Sequence, residues 1–85
     1  MPKVKLLLFA GAKDAIGSSE IPDFQLKNAA YTDLNMLRVA IEEKLGQLSC
    51  LSYKLALNEE YLCDGVEVEI KDNDELAVVP PLSGG

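Results

Sequence analysis

Histidine is absent, and the 85 residues hold only two cysteines. Without an imidazole, no Ser–His or Cys–His pair can form, which removes triad chemistry. Cys50 and Cys63 have neither a second cysteine pair nor histidine to complete a zinc set, so they read as free thiols acting as plain small side chains. No apolar run approaches the roughly 18 residues that suggest a membrane span. No charged start followed by an apolar run marks a secretion signal, so the cytosol is the expected compartment. A Gly-x-x-x-x-Gly-Lys-Ser/Thr phosphate loop is missing, and Phe9-Ala10-Gly11-Ala12-Lys13 has too few glycines to cradle phosphate. Positive charge is scarce: eight Lys and Arg stand against fourteen Asp and Glu, a net charge of −6. That balance argues against nucleic acid and anionic membrane, and for partners with basic surfaces. Asp72 with Asp74 and Glu42 with Glu43 are paired carboxylates. They read as solvated turn and helix-face residues, because an acid–base pair needs burial or a partner to tune it.

What remains is an ordinary globular composition, 48% hydrophobic and 26% charged, of a length that suits one domain. Lys3 to Ala10 alternates into a strand that is apolar on both faces at its end, as a central strand would be. Gly11 interrupts it, and Ala12 to Ile16 forms a helical turn or two stopped by Gly17. Phe24 and Leu26 alternate with polar residues in a second strand, which Pro22 confines to an edge or a strand beginning. Asn28 to Tyr31 reads as a connection. Leu34, Leu37, Ile41 and Leu45, with Ala40, make one helical stripe, with Thr32 as the expected N-cap and Gly46 as the expected stop. Gln47 to Ser52 reads as a loop, and Tyr53 to Leu57 as a strand. A turn at Asn58 to Glu60, the pair Tyr61-Leu62, and a turn at Asp64-Gly65 follow. Val66, Val68 and Ile70 alternate as a short strand. Asp72-Asn73-Asp74 is a tight turn with Asn73 at positive φ, and Glu75 to Val79 is the last strand. This order predicts an α+β roll, a mixed sheet wrapped on one main helix. Its first and last strands should pair in parallel at the sheet centre, with the helix as crossover.

The chemically distinctive stretch is the end. Pro80 and Pro81 form a stiff strap. Leu82, Ser83, Gly84 and Gly85 follow as a narrow tip that reaches roughly 13 Å at about 3.3 Å per residue. The expected division is a domain over residues 1–81 and a tail over 82–85. Glycines without Cβ can pass a channel that rejects side chains. The Gly85 carboxylate is inert toward nucleophiles at neutral pH, and the chain has no evident means of binding ATP. A partner enzyme would therefore have to activate it.

Three pieces make the chain resemble the small, sulfur-carrier subunits of molybdopterin synthase. They are Val4-Lys5-Leu6-Leu7-Leu8-Phe9-Ala10 with Lys13-Asp14 and Gly17; Leu55-Ala56-Leu57-Asn58; and the run from Asp72 through Pro80-Pro81-Leu82-Ser83-Gly84-Gly85. The resemblance implies a β-grasp, ubiquitin-like fold. It implies that a ubiquitin-activating-type adenylyltransferase, using ATP and Mg²⁺, activates Gly85, which a sulfurtransferase converts to a thiocarboxylate. The tail then enters the large, catalytic subunit and gives its sulfur to cyclic pyranopterin monophosphate, in a heterotetramer. This chain is thus expected to be a non-catalytic subunit that binds no cofactor or metal itself. Leu82, Ser83 and Gly84 would thread the partner's channel. Phe9, Tyr61 and Val79, with Pro80 and Pro81, would form the docking patch; Tyr61 is expected to be exposed, and Phe9 and Val79 are balanced between core and surface. Lys13 stands where the family usually has Arg, which loses bidentate geometry, and Asn73 replaces a usual turn glycine. The sulfur carriers of the thiamine pathway or of tRNA thiolation, a ubiquitin-like protein modifier and a plain interaction domain are the alternatives.

Overall fold

The computed structural model describes residues 2–63, 65 and 67–80. Pro81 of the expected strap and the expected tail residues Leu82, Ser83, Gly84 and Gly85 lie outside the described residues, as do Asp64 of the expected second turn and Val66 of the short strand expected after it. So does the division at residues 81 and 82.

The elements are β1 (Lys3–Leu8), α1 (Ala10–Ile16), β2 (Glu20–Gln25), β3 (Ala30–Tyr31), α2 (Leu34–Glu42), a 3-10 helix (Gly46–Cys50), β4 (Lys54–Leu57), β5 (Glu60–Tyr61), β6 (Val68–Glu69) and β7 (Glu75–Val79). Five strands form one sheet in the order β2-β1-β7-β4-β5, and β3 pairs with β6 in a small second sheet. β1 and β7 run parallel at the centre, with Leu6 opposite Leu76 and Leu8 opposite Val78. This is the expected pairing of the first and last strands, with α2 in the crossover. Val4, Leu6 and Leu8 of β1, Leu76 and Val78 of β7, and Leu55 of β4 are buried, as are Leu34, Leu37 and Ile41 of α2. One face of the sheet and one stripe of the helix thus close a single core. β2 lies on the edge, as Pro22 requires, and its register against β1 shifts between Val4 and Leu6.

Three turns account for the tight geometry. Asn58 and Glu59, both at positive φ, link β4 to β5; this is the two-residue hairpin whose twist matches the strands. Gly17 takes φ 85° and caps α1, donating its N–H to the Lys13 carbonyl. Asn73 takes φ 71° as expected.

Several local expectations change. The N-cap of α2 is Asp33, not Thr32: its carboxylate accepts from the Met36 N–H at 3.0 Å. The Thr32 hydroxyl instead contacts the Met36 sulfur. Gly46 does not stop α2. The helix ends at Glu42, and Gly46 opens the 3-10 helix that replaces the expected loop over Gln47 to Ser52. Leu48, an apolar residue with no periodic partner, is driven into the core and pulls this segment down. Gly11 lies inside α1 rather than interrupting the chain. The switch from strand to helix falls on Ala10, at φ 47°. Within the expected connection Asn28 to Tyr31, the pair Ala30–Tyr31 is strand β3. Cys50 and Cys63 are free, as expected, but both are exposed rather than packed inside.

Replacing the cap gives a direct check. Asp33→Ala should cost about 1 kcal/mol in urea unfolding through loss of the cap hydrogen bond. Thr32→Ala should stay within about 0.5 kcal/mol, as surface changes usually do.

Candidate functional site

β7 is a central strand, so its C-terminal end leaves the sheet between two neighbours rather than at a margin. Pro80 is buried at that point. On one side the Phe9 N–H donates to the Val78 carbonyl at 3.2 Å, tying the end of β1 to the end of β7. On the other side Val79 stands opposite Lys54 of β4. A buried proline flanked by paired strands fixes the direction in which the chain departs.

The sheet face turned away from α2 carries the exposed members of the set. Cross-strand pairing places Leu7, Ala77, Ala56 and Tyr61 in one row across β1, β7, β4 and β5. Tyr61 is 63% exposed and Phe9 47% exposed, while Val79 is half-buried. The expected exposure of Tyr61 holds, and the open balance for Phe9 falls to the surface. Tyr61, Val79 and Pro80 share the wall of a cleft of about 550 Å³. Phe9 does not line that cleft. A second cleft of about 460 Å³, between Ala10, Asp14, Cys50 and Leu51, touches Pro80 from its other side. Pro80 and Ser52 line both clefts.

The first cleft has four further lining residues that the sequence reading left as solvated surface, loop or strand: Arg38, Ser52, Tyr53 and Lys54. The Arg38 guanidinium lies 5.8 Å from the Tyr53 ring centroid, and the Lys54 ammonium lies 5.9 Å from that of Tyr61. Both distances fall within cation–π reach. Arg38 donates to Asn35 Oδ1 at 3.2 Å and to the Tyr53 carbonyl at 3.4 Å. The Tyr53 hydroxyl donates to Glu42 Oε2. Burial pushes the Tyr53 hydroxyl well above its ordinary range; the hydrogen bond to Glu42 and the Glu42 charge push the same way, against an opposing pull from Arg38. The spacing from Val79 to Lys54 is invisible in sequence until the register of β7 against β4 is known, which is why these residues escaped notice. Lys13 makes no ion pair among the described residues. Among the described residues, no group of three or more acids and cysteines is placed to hold a metal ion.

A single helix crossing a mixed sheet, with the last strand central and its end held by a buried proline, defines the class: a ubiquitin-like β-grasp domain. The chain belongs to the ThiS family, which matches residues 6–85. It is similar to the molybdopterin synthase sulfur carrier subunit of Dictyostelium discoideum, at 37% identity over 95% of this chain and 94% of that protein. In structure it is similar to a molybdopterin converting factor subunit 1 from Pyrococcus furiosus, with TM-score 0.73, 22% identity, and coverage of 96% of this chain and 100% of that one. It is also similar to a chain in the complex of subunits 1 and 2 of the molybdopterin-converting factor of Helicobacter pylori, with TM-score 0.59, 25% identity and coverage of 96% and 97%.

Tyr53 offers a test of the local electrostatics. Tyr53→Phe should cost about 1 kcal/mol near neutral pH, one net hydrogen bond. A hydroxyl raised above its unfolded value of 10.0 lends stability that is complete below that pH and fades as pH rises above it. The gap between wild type and Tyr53→Phe in urea unfolding should therefore narrow above that pH, and a constant gap would contradict the raised value.

Proposed function

We propose that this chain is the sulfur-carrier subunit of a molybdopterin synthase, with the Gly85 carboxylate as the group that is loaded and unloaded. One observation carries the reading: β7, the strand that precedes the diglycine in sequence, is central and ends at a buried proline, and the family match runs through residue 85. The relatives' name supports the pathway over the thiamine and tRNA-thiolation alternatives.

In this reading the chain supplies no catalysis. An adenylyltransferase of the ubiquitin-activating type, using ATP and Mg²⁺, joins AMP to the Gly85 carboxylate and releases pyrophosphate. A sulfurtransferase persulfide then attacks the acyl-adenylate and displaces AMP, forming an acyl disulfide. A second thiol attacks the sulfur on the sulfurtransferase side, closing a disulfide there and leaving a thiocarboxylate at Gly85. Leu82, Ser83 and Gly84 carry that group into the large subunit, because glycine and serine present little bulk in a narrow channel. There the sulfur passes to cyclic pyranopterin monophosphate, and the carboxylate is regenerated for another cycle. Phe9, Tyr61, Val79, Pro80 and Pro81 form the docking surface beside the tail, on which the large subunit seats as part of a heterotetramer in the cytosol. Exposed aromatic side chains beside a cleft are the kind of anchor that carries binding energy.

Intact mass spectrometry after incubation with ATP, the activating enzyme and a sulfur source tests the chemistry. The chain should gain the mass difference between sulfur and oxygen at Gly85. Covalent adducts with other proteins would instead make it a modifier, and an unchanged mass would leave only an interaction domain. Deleting Gly85 should abolish sulfur transfer and leave the unfolding midpoint unchanged, since the terminus adds little to the core. Gly84→Val should slow transfer by blocking threading, and normal turnover would remove that argument. Tyr61→Ala should weaken the complex with the large subunit about tenfold or more.

A further inference from the structure

The cleft beside Pro80 holds two cations in a body that carries a net charge of −6. Three of the other basic side chains are engaged: Lys5 pairs with Glu20, Lys27 pairs with Glu43, and Lys44 donates to the Gln25 carbonyl over the Phe24 ring. Lys3, Lys13 and Lys71 make no ion pair among the described residues, but none of them lines this cleft. Arg38 and Lys54 pair with no carboxylate among the described residues. Glu42, one turn along α2 from Arg38, is taken by the Tyr53 hydroxyl. The two hydrogen bonds of Arg38, to Asn35 and to the Tyr53 carbonyl, leave most of its five N–H donors for another acceptor. Stacking on Tyr53 and Tyr61 holds both cations over the cleft, so little ordering is left to pay for when an acceptor arrives.

Lys54 is exposed to solvent, its ammonium above the exposed Tyr61 ring. A protein that covers Tyr61 must desolvate that ammonium, and an unpaired buried charge is costly. Whatever docks there must bring an anion. The walls Val79, Pro80 and the two tyrosine rings are apolar, which suits an acid set in a protein surface. A polyanion would instead be repelled by the acidic body in proportion to its charge.

We infer that the Arg38–Lys54 cleft receives an Asp or Glu side chain of the large subunit. The inference rests on the reading of the chain as the tail-donating subunit. Arg38 offers a fork for bidentate carboxylate recognition and Lys54 a point charge beside it.

Calorimetry of the full chain with the large subunit of the same organism, at low and high salt, tests the contact. Lys54→Glu should weaken the complex about 30-fold or more, and Lys54→Gln about tenfold. Lys54 is exposed, so neither change should disturb folding, which circular dichroism checks. Arg38→Lys should also weaken binding, by loss of the fork. Lys27→Glu makes the same change in net charge away from the cleft and should cost less than about threefold. Replacing the facing acid of the large subunit by Lys should restore the affinity of Lys54→Glu. Equal losses for Lys54→Glu and Lys27→Glu would mean that total charge matters and not the cleft, which overturns the inference. An unaffected Lys54→Glu complex alongside a Tyr61→Ala complex that is lost would overturn it while leaving the docking reading intact. If both variants bind normally, the docking reading itself fails, and the inference with it. Saturable shifts of Arg38 and Lys54 resonances with inorganic phosphate, without any effect of Lys54→Glu on the complex, would make the cleft a small-anion site and also overturn it.

Discussion

The parallel pairing of β1 with β7 is the constraint on which the rest of the structure depends. It joins Lys5 to Glu75, Leu6 to Leu76, Leu7 to Ala77 and Leu8 to Val78, uniting the two extremes of the chain. Two parallel strands cannot be joined by a hairpin, so the intervening chain must cross over, and α2 is the element that does so. The core-facing members, Leu6, Leu8, Leu76 and Val78, are buried against α2. Burying such side chains is worth about 1.5–3 kcal/mol each, against a closure cost that grows only with the logarithm of the loop. The acidic turn that precedes β7 clasps the pair at its start. Asp72 accepts from the Lys3 N–H at 2.8 Å, the Asn73 N–H donates to the Lys3 carbonyl at 2.8 Å, and the Lys5 N–H donates to the Asp74 carbonyl at 2.9 Å. Asn58 reaches in from the β4–β5 hairpin, bonding the Asp74 carboxylate and the Glu75 N–H. Carboxylates that sequence alone reads as solvated are therefore exposed yet engaged.

The same pairing divides the sheet into a face for stability and a face for contact. Alternation along β1 and β7 sends every second residue to the helix, and the others form the row through Leu7, Ala77, Ala56 and Tyr61. Small alanines in the middle of that row keep it low, so Tyr61 at one side stands clear of its neighbours. Val79 at the end of β7 and Tyr61 of β5 share one cleft with Arg38, Tyr53 and Lys54. Location of the proposed docking surface follows from register rather than from any local motif.

Legibility in the sequence tracked how local each cause was. The stripe Leu34, Leu37 and Ile41, the alternation in β1 and β7, Pro22 at an edge and Asn73 at positive φ are short-range signals, and each is found in the fold. Gly46 misled because a glycine after a helical stripe signals a stop, whereas Leu48 had to reach the core and drew the segment into a 3-10 helix. Asp33 overtook Thr32 as cap because its carboxylate meets the Met36 N–H. Strand β3 is two residues long and exists only as the partner of β6, so no window of sequence shows it, whereas the alternation of Val68 with Ile70 did mark β6. The patch residues Tyr61, Val79 and Pro80 were found through family resemblance. Arg38 and Lys54, which share their cleft, were not, since nothing but the register joins a helix arginine to a strand lysine.

On the proposed reading of Gly85 as the loaded group, a terminus used in this way would pose an energetic problem that the body must solve. Gly84 and Gly85 bring no side chain to a partner's channel, and glycine loses more freedom than any other residue when it is fixed. Ordering the backbone costs about 1–2 kcal/mol per residue, so threading the last four residues is unfavourable unless binding elsewhere offsets it. Two features of the body act on that deficit. Pro80 is already buried and directed, so no ordering cost falls on the root. Tyr61 and its cleft stand beside that root, where contact with a partner brings the tail to its channel at high effective concentration. The narrowness that lets a diglycine end enter a buried site therefore demands an anchoring surface next to it, and the centre of the sheet is where this fold places both.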